Sequence, residues 1–255
     1  MEMKMKKISV LIIWLPFFTG LAIGQEKKVV LLSKSYGNGS YENWLLSANP
    51  GLKIVSLYHV SKDSVDFWLK ASHGILMTGG EDVYPGRYEK EKDTADCGEF
   101  DLRRDSLEFR MLDHAFAHKK PLFGICRGLQ IINIHQNGNL VVDIPSKLGV
   151  KVRHRENGPV EHEVEIVPTS SLGKISKIKK GKILSNHHQG IDVLGKNLKP
   201  MARSEDGLIE AIEGDENSKM PFLMAVQWHP ERMEKESPLS NTLSRIFSEA
   251  VLKQK

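Results

Sequence analysis

Cysteine is scarce in this chain: 255 residues hold two, Cys97 and Cys126. That excludes a disulfide-stapled scaffold and leaves room for one bridge at most. Net charge is nearly absent as well. The formal charge is +4, but residues 1–24 carry three lysines (Lys4, Lys6, Lys7) against one acid, Glu2. The remainder holds 33 basic and 31 acidic side chains. Such a balance gives no electrostatic reason to expect nucleic acid or an anionic membrane as partner. Internal repeats, low-complexity tracts and linkers are missing too. Gly37-x-Gly39 is an isolated echo of a phosphate loop without the rest of the fingerprint, so nucleotide binding is not expected. The one prominent apolar run, residues 8–23, is about 16 residues long, short of the ~20 that a membrane span requires.

What is present fits a globular protein. Hydrophobic residues make up 40% and charged ones 27%, an ordinary balance for a chain with a core. The length suits one large α/β domain. The first 24 residues read as a signal peptide. A basic start (MEMKMKK) precedes the apolar run, and Ala22-Ile23-Gly24 puts small residues at −3 and −1 before Gln25. Residues 25–255 are therefore expected to be one exported domain, periplasmic or secreted, with no stable membrane association after cleavage.

Short apolar runs alternate with helical stretches over the first half. Strands are expected at Lys28–Ser33, Leu52–Tyr58, Gly74–Thr78 and Pro121–Gly124. Helices are expected near Tyr41–Ser47 (with a Ser cap after Gly39), Val65–Ala71 (capped by Ser61), Asp101–His118 and Leu129–Gln136. In the second half, His162–Val167, Leu208–Ile212 and Pro221–Gln227 read as strands, and Leu239–Leu252 as a final amphipathic helix. This alternation implies an α/β fold: a doubly wound, mainly parallel sheet flanked by helices.

The most informative segment is Pro121-Leu-Phe-Gly-Ile-Cys126-Arg-Gly-Leu-Gln130. A buried strand runs into Gly124-x-Cys126-x-Gly128 and a helix follows at once, which is a nucleophile-elbow pattern with sulfur as nucleophile. The turn needs small residues on both sides. It presents the side chain at the C-terminal edge of the sheet, where open α/β folds place ligands. A helix N-terminus favours the thiolate, and the Arg127 N–H is placed to donate to an oxyanion. Cys126 then acts as a thiolate, and Cys97 should be free or incidental. Further on stands Gln227-Trp228-His229-Pro230-Glu231. In extended chain, residues two apart face the same side, so Glu231 can hold the His229 ring while His229 serves as base and acid.

G-I-C-R-G followed by Q-W-H-P-E resembles the class I glutamine amidotransferase family. Within it, the chain is similar to the γ-glutamyl-γ-aminobutyrate hydrolase branch, related to γ-glutamyl hydrolases, from about Val29 to the last helix. Gly74-Ile-Leu-Met-Thr-Gly79-Gly80 resembles its oxyanion loop. Arg104-Asp105 opens the helix before the nucleophile strand, as in that branch. Ser185-Asn186-His187-His188-Gln189 resembles its substrate-side loop, and 202–211 its late hairpin. The resemblance implies a flavodoxin-like class I amidotransferase fold and hydrolysis of γ-glutamyl amide bonds through a Cys126–His229–Glu231 triad and a γ-glutamyl thioester. It implies oxyanion donors at the Gly80 and Arg127 backbones. Gly79, Gln130, Ser185, His187, His188 and Gln189 follow as substrate-side candidates. It also implies a small γ-glutamyl substrate as sole ligand, and no metal or organic cofactor. The sequence leaves a homodimer open.

The chain departs from the branch in two places. Leu184 stands where the branch has Asn, and the oxyanion loop continues Glu81-Asp82-Val83-Tyr84-Pro85, adding negative charge near the mouth. His187 and His188 are adjacent and lack a third metal ligand at usable spacing. His154 and His162 read as structural, and the basic run Lys174–Lys182 as a solvated face. Tyr84, Tyr88 and Trp228 are candidates for the pocket wall or the core. Two other functions compete: a glutaminase subunit feeding ammonia to a synthase, and a binding protein on the same fold. The exported start and the lack of a synthase domain weigh against the first. The intact Cys126, His229 and Glu231 weigh against the second.

Overall fold

The structure, a computed structural model, describes residues 27–254. The signal-peptide reading over residues 1–24 lies outside the described residues. Eleven strands and seven α-helices follow one another along the described chain. In the first half these are β1 (Val29–Leu32), α1 (Ser40–Ala48), β2 (Lys53–Ser56), α2 (Val65–Ala71), β3 (Gly74–Met77), α3 (Leu102–Ala117), β4 (Leu122–Ile125), α4 (Arg127–His135), β5 (Asn139–Val141) and α5 (Ile144–Leu148). The second half holds β6 (Val160–Ile166), α6 (Ser171–Ser176), β7 (Lys180–Ser185), β8 (Gly190–Val193), β9 (Leu198–Ser204), β10 (Ile209–Gly214), β11 (Leu223–Val226) and α7 (Pro238–Leu252). Among the described residues no helix is long and apolar enough to cross a membrane.

The sheet runs in the order β2-β1-β3-β4-β11-β10-β9-β6-β7. Its first five strands are parallel, the doubly wound core expected from the sequence. Every residue of β1, β3, β4 and β11 is buried, because helices cover both faces of that core. Side chains alternate across the pleat. Leu31 and Met77 pack with Leu69, Met111, Leu112 and Ile132 from α2, α3 and α4. Leu32, Leu76 and Phe123 pack on the other face, with Trp44, Leu45, Leu243 and Phe247 from α1 and α7.

The rest of the sheet is antiparallel: β10, β9, β6 and β7 continue it, and β8 pairs with β10 and β5. Sequence periodicity gave only β6 and β10 of this part. The run Lys174–Lys182 spans the end of α6 and enters β7, an edge strand. Two caps also differ from expectation. Gly39, in left-handed conformation at φ 60°, caps α1, and Ser40 is already its first residue. Ser61 opens a short 3-10 turn, Lys62–Ser64, that runs into α2.

Candidate active site

The core register brings the two catalytic candidates to one edge. β4 and β11 are parallel neighbours with Ile125 opposite Val226. Cys126 leaves β4 immediately after Ile125, its N–H donating to the Val226 carbonyl at 2.8 Å. His229 leaves β11 three residues after Val226, its N–H donating to the Leu184 carbonyl at 2.9 Å. The two side chains thus emerge side by side at the C-terminal ends of parallel strands.

Cys126 is the N-cap of α4 with φ 53° and ψ −107°, a backbone state rarely adopted by a residue with a side chain. The flanking glycines explain how the turn closes. A Cβ on Gly124 would lie 2.8 Å from the backbone of Gly128, and one on Gly128 would lie 2.1 Å from the carbonyl oxygen of Met77. Both positions are closed to any side chain. The helix begins at Arg127, two residues earlier than sequence periodicity implies, so the Arg127 N–H is among the unpaired donors of a helix start.

His229 and Glu231 meet as expected, with His229 Nδ1 donating to Glu231 Oε1 at 2.8 Å. They meet through a 3-10 turn at Pro230–Arg232 rather than through extended chain. His229 is 3% exposed and Cys126 6%. Burial disfavours the imidazolium, but Cys126 and Glu231 outweigh it and raise His229 from 6.5 to about 9. Cys97 is free, and burial, with Asp82 nearby, pushes it up to about 11.

Gly79 abuts both catalytic candidates: a Cβ there would come 3.1 Å from His229 Cε1 and 3.5 Å from Cys126 Cβ. Its N–H donates to the Tyr41 hydroxyl at 3.0 Å. Its carbonyl accepts from Tyr36 Oη at 3.0 Å and from Arg104 Nη2 at 2.8 Å. That carbonyl shares a peptide plane with the Gly80 N–H, and the two point oppositely. Anchoring the one outward therefore fixes the direction of the other.

Sequence reasoning missed this anchor. Arg104 is fully buried and also donates to the Thr78 carbonyl at 2.9 Å, to Glu81 at 2.7 Å and to Glu108 at 2.8 Å. Glu108 and Asp105 in turn accept from the buried guanidinium of Arg127. Lys34 completes the cluster at 2.6 Å from Glu81. Asp101 joins at 3.4 Å from Lys34, so three cations face four carboxylates, the arrangement that makes buried charge tolerable. The network joins the loop before Gly80 to the first residue of α4, so it spans both oxyanion candidates.

The added negative charge expected at the mouth is matched internally. Glu81 is spent on Lys34 and Arg104, which hold its carboxyl near 2 against the opposing effect of burial. Asp82 Oδ2 lies 3.0 Å from His188 Nε2. His188 also reaches Asp143 Oδ1 at 3.2 Å, and its hydrogen bond to Asp82 raises it from 6.5.

The remaining substrate-side candidates are engaged within the protein. Ser185 Oγ donates to the His154 carbonyl at 2.7 Å. Gln130 Nε2 reaches the Gln189 carbonyl at 3.2 Å and Gln227 Oε1 at 3.4 Å. Gln189 Nε2 donates to the Val142 carbonyl at 3.1 Å. Trp228 is core, its Nε1 donating to the Leu239 carbonyl at 3.2 Å. Tyr88 is buried in the core as well, and the exposed hydroxyl of Tyr84 donates to Glu91. Spacing along the chain gave His187 no further metal ligands, and it cast His154 and His162 as structural. In the fold, His154, His162 and Glu210 converge on His187.

A family model for peptidase C26 matches residues 22–231. The chain belongs to the peptidase C26 family. It is 34% identical over 230 residues to a Schizosaccharomyces pombe protein named a putative glutamine amidotransferase, covering 87% of this chain and 86% of that one. It is 32% identical over 221 residues to the gamma-glutamyl-gamma-aminobutyrate hydrolase of Escherichia coli, covering 81% and 83%. Among solved structures, the glutaminase domain of Trypanosoma brucei CTPS superposes with a TM-score of 0.58 at 17% identity, over 90% of this chain and 95% of that domain. That likeness concerns the fold, which is that of the class I glutamine amidotransferases. Membership in peptidase C26 supports an amide-bond hydrolase.

Proposed function

We propose that the chain is a cysteine-nucleophile hydrolase of γ-glutamyl amide bonds, with Cys126, His229 and Glu231 as its triad. The observation that carries this reading is the meeting of three groups at one sheet edge. A cysteine in a strained elbow at a helix start stands beside a buried histidine, whose far nitrogen is held by a carboxylate at 2.8 Å. The name of the Escherichia coli relative supports the γ-glutamyl substrate.

In this mechanism the Cys126 sulfur attacks the γ-carbonyl carbon and a C–S bond forms. The developing oxyanion accepts hydrogen bonds from the Arg127 and Gly80 N–H groups. His229, protonated on the nitrogen facing the sulfur, gives that proton to the leaving nitrogen as the C–N bond breaks. Water then attacks the γ-glutamyl thioester, His229 takes its proton, and glutamate leaves with the thiol restored. Glu231 holds the ring and steadies its charge throughout.

The test is hydrolysis of a panel of γ-glutamyl and α-glutamyl amides by residues 25–255, beside Cys126→Ala. Release of the amine from γ-glutamyl compounds alone, without a partner protein, supports the proposal. Ammonia release from glutamine that needs a partner favours the glutaminase reading. Binding without turnover favours a binding protein. We also propose export by cleavage after Gly24, which N-terminal sequencing of protein recovered outside the cytoplasm checks.

A further inference from the structure

Away from the nucleophile, the fold gathers four side chains that the sequence scatters: His154, His162 on β6, His187 and Glu210 on β10. One donor atom from each lies within 4.8 Å of the others. Glu210 Oε1 is 3.1 Å from His154 Nδ1, 3.8 Å from His162 Nε2 and 3.6 Å from His187 Nε2. Glu210 is 0% exposed, His154 3% and His187 4%. None of these three nitrogens, and neither oxygen of Glu210, has a hydrogen-bond partner among the described residues.

The opposite side of each ring is engaged. His154 Nε2 faces Asp206 Oδ2 at 2.9 Å, His187 Nδ1 faces the Gln189 carbonyl at 2.9 Å, and His162 Nδ1 faces the Glu163 carbonyl at 3.2 Å. A carbonyl oxygen or a carboxylate only accepts. Each of these outer nitrogens therefore carries a ring proton, which leaves the inner nitrogen of each ring, aimed at Glu210, free to act as a ligand atom once it is deprotonated. Three inward ring nitrogens and a buried carboxylate, none of them hydrogen-bonded, call for a cation among them.

We propose that these four residues form a closed transition-metal site, and that zinc(II) is the ion its chemistry favours. Three imidazoles and one carboxylate suit zinc and its first-row neighbours, not calcium or magnesium, which take oxygen ligands. A tetrahedral zinc with bonds of ~2.0–2.1 Å separates its ligand atoms by about 3.3 Å. The contacts around Glu210 Oε1 already bracket that value. The outer partners are those of ligating histidines: a carboxylate and two carbonyls that fix tautomer and ring orientation. Charge closes as well, since neutral rings with Glu210 and Asp206 offset a divalent ion. His154 and His187 also line a cavity of ≈330 Å³, which gives the ion a way in.

Four protein ligands leave no place for a reactive water, so the role is structural. The ion ties β6 and β10 to the loop carrying His187. That loop touches the nucleophile helix, because the Gln189 carbonyl accepts from both His187 and Gln130.

The test strips the purified protein with a chelator and titrates it with Zn²⁺ and Co²⁺, with Cys126→Ala titrated in parallel. The expected result is one equivalent bound with a submicromolar Kd, unchanged in Cys126→Ala. Co²⁺ then shows the visible bands of four-coordinate cobalt without a thiolate charge-transfer band, and metal raises Tm. Asp206→Asn, outside the ligand set, weakens binding roughly 10–100-fold, and His162→Asn and Glu210→Gln weaken it further. No stoichiometric binding by the unmutated protein overturns the proposal, and so does a six-coordinate cobalt spectrum. Loss of binding in Cys126→Ala, or undiminished affinity in Glu210→Gln, would do the same. The cobalt spectrum decides even where a ligand variant fails to fold.

Discussion

Gly128→Ala is the smallest change that tests how the oxyanion site is built. Gly128 sits in the first turn of α4, one residue after Arg127, and packs on β3 just before the Thr78-Gly79-Gly80 loop. A Cβ there lies 2.1 Å from the Met77 carbonyl oxygen and 2.7 Å from its carbon. Carbon–oxygen contacts settle near ~3.3 Å, so α4 and β3 must part by about 1 Å. Both partners are backbone, and no side chain can swing away to absorb the clash. The displacement falls on the spacing between the Arg127 and Gly80 N–H groups. A misplacement of that size costs ~10²-fold in rate. Overpacking of this kind destabilises by about 1–3 kcal/mol, a Tm drop of roughly 2–4 °C for each kcal/mol. The assay pairs kcat/KM on a γ-glutamyl amide with the rate of Cys126 alkylation by iodoacetamide. Turnover falls by about two orders of magnitude, while alkylation stays within a few-fold because the Cys126 and His229 N–H groups stay tied to the carbonyls of Val226 and Leu184. Turnover within three-fold of the unmutated protein would refute the two-donor geometry.

Three further outcomes follow from the same site. Arg104→Lys removes the planar fork that holds the Thr78 and Gly79 carbonyls; kcat falls ~10²-fold with KM little changed. The same variant keeps the charge but leaves hydrogen bonds of the fork unmade, which costs about 1.5–3 kcal/mol of stability; steady-state kinetics and denaturant melts read the two effects. The alkaline limb of kcat/KM lies near pH 9, where the His229 imidazolium loses its proton. Because the folded value is raised above 6.5, that charge stabilises the fold fully below pH 6.5, and the contribution is lost as pH rises through about 9. Glu231→Gln moves the limb to lower pH and lowers kcat/KM about 10²-fold; a pH–rate profile matching that of the unmutated protein excludes the carboxylate as orienter.

The parts of the fold that could be read from sequence are those set by local pattern. Fully apolar runs such as VVLL and GILM announce buried parallel strands, and Gly124-x-Cys126-x-Gly128 announces its turn because the close approach forbids side chains. H-P-E was legible because its two partners are two residues apart, although a 3-10 turn rather than extended chain joins them. The antiparallel strands β7, β8 and β9 mix exposed and buried residues over short lengths, so periodicity alone does not separate them from loops. Arg104 was visible as part of a motif, but its hold on the Gly79 carbonyl depends on α3 crossing the end of β3. The His154–His162–His187–Glu210 cluster was illegible for the same reason. Its members come from four segments that meet only after β6, β9 and β10 pair.

The central claim is that Cys126 carries the γ-glutamyl group. The direct measurement is acid quench of the enzyme during turnover of a γ-glutamyl amide, followed by mass spectrometry of the peptide containing Cys126. The account predicts a γ-glutamyl adduct on Cys126 that accumulates in the first turnover and disappears as substrate is consumed, with no turnover in Cys126→Ala. Steady turnover by Cys126→Ala, or an adduct on a different residue, contradicts it.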